Sequence, residues 1–108
     1  MVKWPVIVSY NNHHELDYIE SEQAWDEYHR GNAHVLDEHC IVIDILGQSY
    51  VNDVTTNGFL ERDLYSVEKV TELVRLHASE LGNCCISKMF FSDVEQAVKS
   101  VKDIEDQT

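Results

Sequence analysis

The side chains here best suited to bind a metal or attack an electrophile are six histidines and three cysteines. His29, His34 and His39 recur at a constant step of five residues, and His13 and His14 are adjacent. Metal ligands on one helix face stand three or four residues apart, whereas a five-residue step turns about 140° around the axis. No pair has the spacing of a zinc or calcium site, so surface histidines and no metal are expected. Only folding could gather His39, Cys40 and His77, or His13 with carboxylates. Cys84 and Cys85 would face opposite ways on a strand, and an odd cysteine count with two neighbours is no disulfide framework. A thiolate nucleophile needs an electropositive setting, and this chain is short of bases, so core filling is the expected role. Cys40, His77 and Asp44 have the types of a nucleophile, base and orienter, yet nothing in the sequence brings them together. Phosphate loops, nucleophile elbows and dinucleotide fingerprints are absent, and neither catalytic nor cofactor-binding residues are assigned.

Carboxylates outnumber every other chemical group. Twenty Asp and Glu face eight Lys and Arg, a formal charge of −12 on 108 residues. A field of that sign repels phosphate backbones and anionic lipid, so nucleic acid and membranes are not expected partners. The excess is concentrated early: residues 1–54 hold ten acids against two bases. Its densest part is Glu15, Asp17, Glu20, Glu22, Asp26 and Glu27, with no base among them, a strip that is either solvated or set against a basic partner. General acid-base work would need one of these held in an apolar pocket, and no pocket is marked.

The elements that must position these groups follow from periodicity. Trp4 to Tyr10 is β-branched and aromatic, with Pro5 near its start, and reads as a first strand. Leu16 to Ile19 returns as a short second strand. Ser21 caps a helix that runs through Ala24, Trp25 and Tyr28 to about Arg30, ending near Gly31 and Asn32. His39 to Leu46 reads as a central strand buried on both faces. Gly47-Gln48 is the expected hairpin turn, glycine first, into Ser49 to Val54. Thr55 to Gly58 reads as a loop, and Phe59 to Leu64 as a fifth strand. Ser66 precedes Val67, Val70, Leu73, Val74, His77 and Leu81, one face of a helix stopped by Gly82. Cys84 to Phe91 reads as a further strand. Ser92 and Glu95 form a capping box for a last helix, and residues 105–108 are expected to fray.

The predicted order is β-β-α-β-β-β-α-β-α in a single domain of class α+β: a mainly antiparallel sheet of five to six strands with helices on one face. The other face, with Trp4, Tyr10, Tyr18, Trp25 and Tyr50 among the large aromatics, would then offer a surface for a partner or a second copy.

Several of these residues resemble a family of small uncharacterised gammaproteobacterial proteins of about this length. They are Trp4-Pro5, Ile43-Asp44 with Gly47 and Tyr50, Ser66-Val67-Glu68, and Cys85 to Lys88 before Gln96-Ala97. The resemblance implies a bacterial α+β domain of unknown function and carries no site residues. The start of the chain has neither the charge nor the apolar run of a signal peptide, and the expected location is the cytoplasm. The expected role is a non-catalytic protein-interaction domain that meets a basic protein through the strip from Glu15 to Glu27, or self-associates as a dimer. Two alternatives remain open: a thiol- or metal-dependent enzyme or sensor using the cysteines and histidines, and an acidic mimic of nucleic acid.

Overall fold

The computed structural model describes residues 2–10, 14–32, 40–53, 58–82 and 89–107. Five strands form one antiparallel sheet: β1 (Val6–Ser9), β2 (Leu16–Ile19), β3 (Ile41–Asp44), β4 (Gln48–Asp53) and β5 (Gly58–Leu64). They stand in the order β2-β1-β3-β4-β5, so the Ile/Val-rich β3 is central as its composition predicts. The described residues also form three helices: α1 (Glu22–Asn32), α2 (Val67–Glu80) and α3 (Val94–Gln107). The fold is α+β, with the long helices α2 and α3 packed together on one sheet face.

Strand alternation divides the interior into two layers. Ile7, Leu16 and Ile43 point to one side and pack with Val70, Val74 and Ala78 of α2 and Ala97, Val98, Val101 and Ile104 of α3. Val6, Val8, Ile19, Val42 and Tyr50 point to the other and pack with Trp25 and Cys40, edged by Trp4, Tyr10, Tyr28 and Phe59. The second face is therefore not bare. Helix α1 lies over it, and Trp25 is 5% exposed with its ring 5.0 Å from that of Phe59. Most of the large aromatics counted as surplus in the sequence form this second layer; Tyr18, on the α3 side of β2, does not.

Local chemistry explains the boundaries. Ser21 caps α1 as expected, and Ser66 caps α2 in the same way, accepting from the amides of Ala24 and Lys69 at 3.2 Å each. At α3 the cap is offset by one residue: Asp93 Oδ1 accepts from Gln96 N at 2.8 Å, and Gln96 Oε1 reaches back to Ser92 N at 3.1 Å. Asp93 and Gln96 thus replace Ser92 and Glu95 in the capping box. Glu95 instead pairs with Lys99 at 2.6 Å, one helical turn on. Residues 105–107 are helical where the sequence predicts frayed ends.

The turn between β3 and β4 also differs from the expected two-residue loop. Ile45, Leu46 and Gly47 connect the strands, with glycine last. Gly47 N donates to Asp44 O at 3.0 Å and Gly47 takes φ of 87°, the pattern of a type I turn closed by a left-handed residue. Of the expected strand from Cys84 to Phe91, residues 84–88 lie outside the described residues, and Met89 to Phe91 are not in a strand. Most of the expected loop from Thr55 to Gly58 is likewise outside them.

Candidate functional site: the acidic edge formed by β2 and α1

The acidic strip divides once it is placed on the fold. On β2, Asp17 alternates with Leu16 and Tyr18, so its side chain turns to the α1 side of the sheet. There its Oδ2 accepts from the hydroxyls of Tyr10 at 2.9 Å and Tyr28 at 2.7 Å. Burial raises the Asp17 carboxyl above its ordinary value, and nearby His77 pulls the other way. The phenol of Tyr28 is also raised, by burial first and then by Cys40. This half-buried trio ties β1, β2 and α1 together. It removes Asp17 from the surface strip.

The other five carboxylates remain outside. Glu15 and Glu20 flank β2, and Glu22, Asp26 and Glu27 lie on α1; all five are exposed. None of them is in an ion pair with a described residue. Arg30 on α1 donates from Nε to the Asp26 carbonyl at 3.2 Å. The edge therefore carries concentrated negative charge in water, where opposite charge is attracted over about 8 Å at physiological ionic strength.

Behind the strip, two side chains hold the outer edge of β2. The Leu16 amide donates to His77 Nδ1 at 2.8 Å, and the Tyr18 amide donates to the Glu105 carboxylate. Because Nδ1 accepts, the neutral imidazole carries its proton on Nε2, and that buried atom has no hydrogen-bond partner among the described residues. His77 is 2% exposed. Burial lowers the His77 pKa, while Glu15 and Asp17 act in the opposite direction. Glu105 is exposed as a residue, yet its carboxyl is raised by desolvation against β2 and by Asp17 and Asp106, with the Tyr18 hydrogen bond opposing.

The remaining candidates for chemistry are scattered. Cys40 is buried in the α1-side layer, whereas His77 belongs to α2 on the opposite face. Asp44 is not an orienter for either: its carboxylate accepts from the amides of Lys3, Leu46 and Gln48 and from Tyr50 Oη. With Asp44 beside it and burial as the main cause, the Tyr50 phenol is pushed up to about 12. His29 packs against Trp25, their rings 5.8 Å apart, and His14 Nδ1 stands 3.9 Å from Glu80. His13, His34, His39, Cys84 and Cys85 lie outside the described residues. Among the described residues, no three His, Cys, Asp or Glu gather as a metal would require. One shallow cleft beside α2 is lined by Val67, Glu68, Thr71, Arg75, Phe90 and Phe91, with the Arg75 guanidinium 4.7 Å over the exposed Phe90 ring.

Sequence reasoning passed over Tyr10, Tyr28 and Glu105. Alternation along β2 was the available signal that Asp17 points inward; Glu105 had none, because its partner is distant in sequence.

Fold and site together define a small α+β domain with an acidic sheet edge. The chain belongs to the DUF4144 family, a protein structure with unknown function, which matches residues 4–101. Its fold is similar to that of a protein from Shewanella amazonensis determined by NMR. The TM-score is 0.77 and the identity 21%, covering 95% of this chain and 90% of that one. A comparison with curated proteins finds no match. No helix among the described residues is long and apolar enough to cross a membrane.

Proposed function

We propose that this chain is a non-catalytic protein-interaction domain that meets a basic protein through Glu15, Glu20, Glu22, Asp26 and Glu27. The observation that carries this reading is that all five are exposed on one contiguous stretch of chain and in no ion pair among the described residues. Charges placed this way steer encounters and act mainly on association rates. The residues behind them, Trp25 and Tyr28, are committed to the core and give the strip a rigid backing.

Capture from lysate of the parent cell, with Glu22, Asp26 and Glu27 reversed to Lys in one variant and exposed Glu68 and Asp103 reversed in a control, tests it. A basic protein retained by wild type and control and lost by the triple variant supports the reading; equal retention by all three removes the strip from the interface. With that partner purified, stopped-flow association should be slower for the triple variant at low salt and converge with wild type at high salt.

Self-association is a second reading, favoured by one observation. At and beside β5, Leu60 is 45% exposed, Leu64 70% and Leu46 62%. Sedimentation equilibrium of wild type and Leu60→Lys decides it: a dimer lost on substitution supports this surface, and a monomer at all concentrations rejects it.

A further inference from the structure

Among the described residues, strand β2 has a strand neighbour, β1, on one side only. Amides two residues apart on a strand point the same way, and those of Leu16 and Tyr18 turn away from β1 to meet His77 Nδ1 and the Glu105 carboxylate. Two side chains, one from each long helix, thus occupy places that backbone carbonyls of a further strand would take.

We propose that His77 and Glu105 form a proton-operated latch on the outer edge of β2: neutral His77 holds the Leu16 amide, and protonation of the imidazole releases it. The chemistry is strict at Nδ1. A protonated Nδ1 is a donor and cannot face the Leu16 N–H, so the hydrogen bond is lost, and Nε2, without an acceptor among the described residues, offers nothing to hold the ring in place. Glu105 plays the lesser part, because a protonated carboxyl keeps a carbonyl oxygen that still accepts from Tyr18.

The groups facing the latch set its range. Glu15 and Asp17, from the β2 side, favour the imidazolium, and burial under the sheet opposes it more strongly. Asp17 and Asp106 face Glu105, and the His14 and Glu80 pair stands at the end of α2. Release therefore begins only below the ordinary histidine value of 6.5. Release leaves the Leu16 amide unpaired beside Glu15, a point at which an extended strand can begin to pair with the edge.

Amide hydrogen exchange of the full chain by NMR, from about pH 8 to about pH 5 and corrected for intrinsic rates, tests the latch. The Leu16 opening constant should rise about tenfold per pH unit below 6.5 until the folded imidazole itself titrates, and Leu16 should exchange faster than Val42 and Ile43 throughout. In His77→Asn, whose amide oxygen can accept the same N–H without titrating, that rise should vanish. A Leu16 opening constant that ignores pH in the wild type, or rises equally in His77→Asn, overturns the proposal. Should the variant fail to fold, ring nitrogen shifts of wild-type His77 decide. Expected are a proton on Nε2 alone at neutral pH and a Leu16 amide shift that moves with the imidazole midpoint, below 6.5. A proton on Nδ1 at neutral pH, or a Leu16 amide unmoved through the titration, overturns it.

Discussion

Among the described strands, the two that end the sheet order, β2 and β5, solve the same problem by different means. An edge strand offers unpaired amides and carbonyls to any passing strand, and proteins blunt that offer with charges, bulges or covering elements. Strand β2 is four residues long, and its outward amides are taken by His77 and Glu105. Strand β5 is seven residues long and largely exposed, and carries a register irregularity where it pairs with β4 between Gln48 and Tyr50. There Gln48 Nε2 donates to Arg62 O at 2.7 Å and Ser49 Oγ to Asp63 O at 2.6 Å, so side chains of β4 fill the gap. One edge is closed by titratable groups borrowed from distant helices. The other is distorted by its own neighbour and charged by Glu61, Arg62 and Asp63. Pairing of β2 should thus depend on pH and on the α2-α3 layer, and pairing of β5 on neither.

The most damaging way to break this contrast is His77→Ala. It empties a buried site and leaves the Leu16 amide without an acceptor, and should cost about 2–4 kcal/mol by chemical denaturation. Within a single cooperative transition, a loss below about 0.5 kcal/mol would mean that β2 is held by other contacts.

Next comes pH. A histidine whose folded value is depressed gives stability that is full above 6.5 and lost as pH falls towards the folded value, because the unfolded chain then binds the proton more readily. The slope should approach about 1.4 kcal/mol per pH unit for one proton. Asp17 and Glu105 have the opposite sign: their folded values are raised, so their contribution is present below the ordinary carboxylate values and lost as pH rises through the folded ones. Urea titrations at several pH values should show the histidine slope in wild type and not in His77→Asn.

Smaller effects separate the helix caps and the second edge. Asp93→Ala should cost about 1 kcal/mol and Ser92→Ala less than half of that, since only Asp93 accepts from the first turn of α3. Equal losses would return the cap to Ser92. Leu64→Ser on β5 should change stability by less than about 0.5 kcal/mol, because that side chain is 70% exposed.

What could be read from the sequence was local. The bounds of β2, the caps at Ser21 and Ser66, the apolar stripe of α2 and the central place of β3 each depend on residues within a few positions of one another. The offsets at α3 and in the β3-β4 turn arose where two acceptors compete over neighbouring residues: Asp93 beside Ser92 for a cap, and the Asp44 carboxylate, which gathers Leu46 and Gln48 amides and shifts glycine to the end of the loop. The acidic strip was visible as composition, while the inward turn of Asp17 required its alternation on β2 to be weighed against its charge. The latch lay beyond local reasoning altogether. His77 and Leu16 are 61 residues apart, and an apolar-face histidine looks the same from sequence whether it fills space or caps a strand.

Amide exchange at neutral pH, compared between β2 and β5, distinguishes an edge closed by side chains from an open one. Leu16 and Tyr18 should exchange at least about tenfold more slowly than amides of β5 that face away from β4, although among the described residues no strand lies outside either. Exchange of Leu16 and Tyr18 at the rate of those β5 amides would contradict the account, because it would show that His77 and Glu105 do not hold the edge.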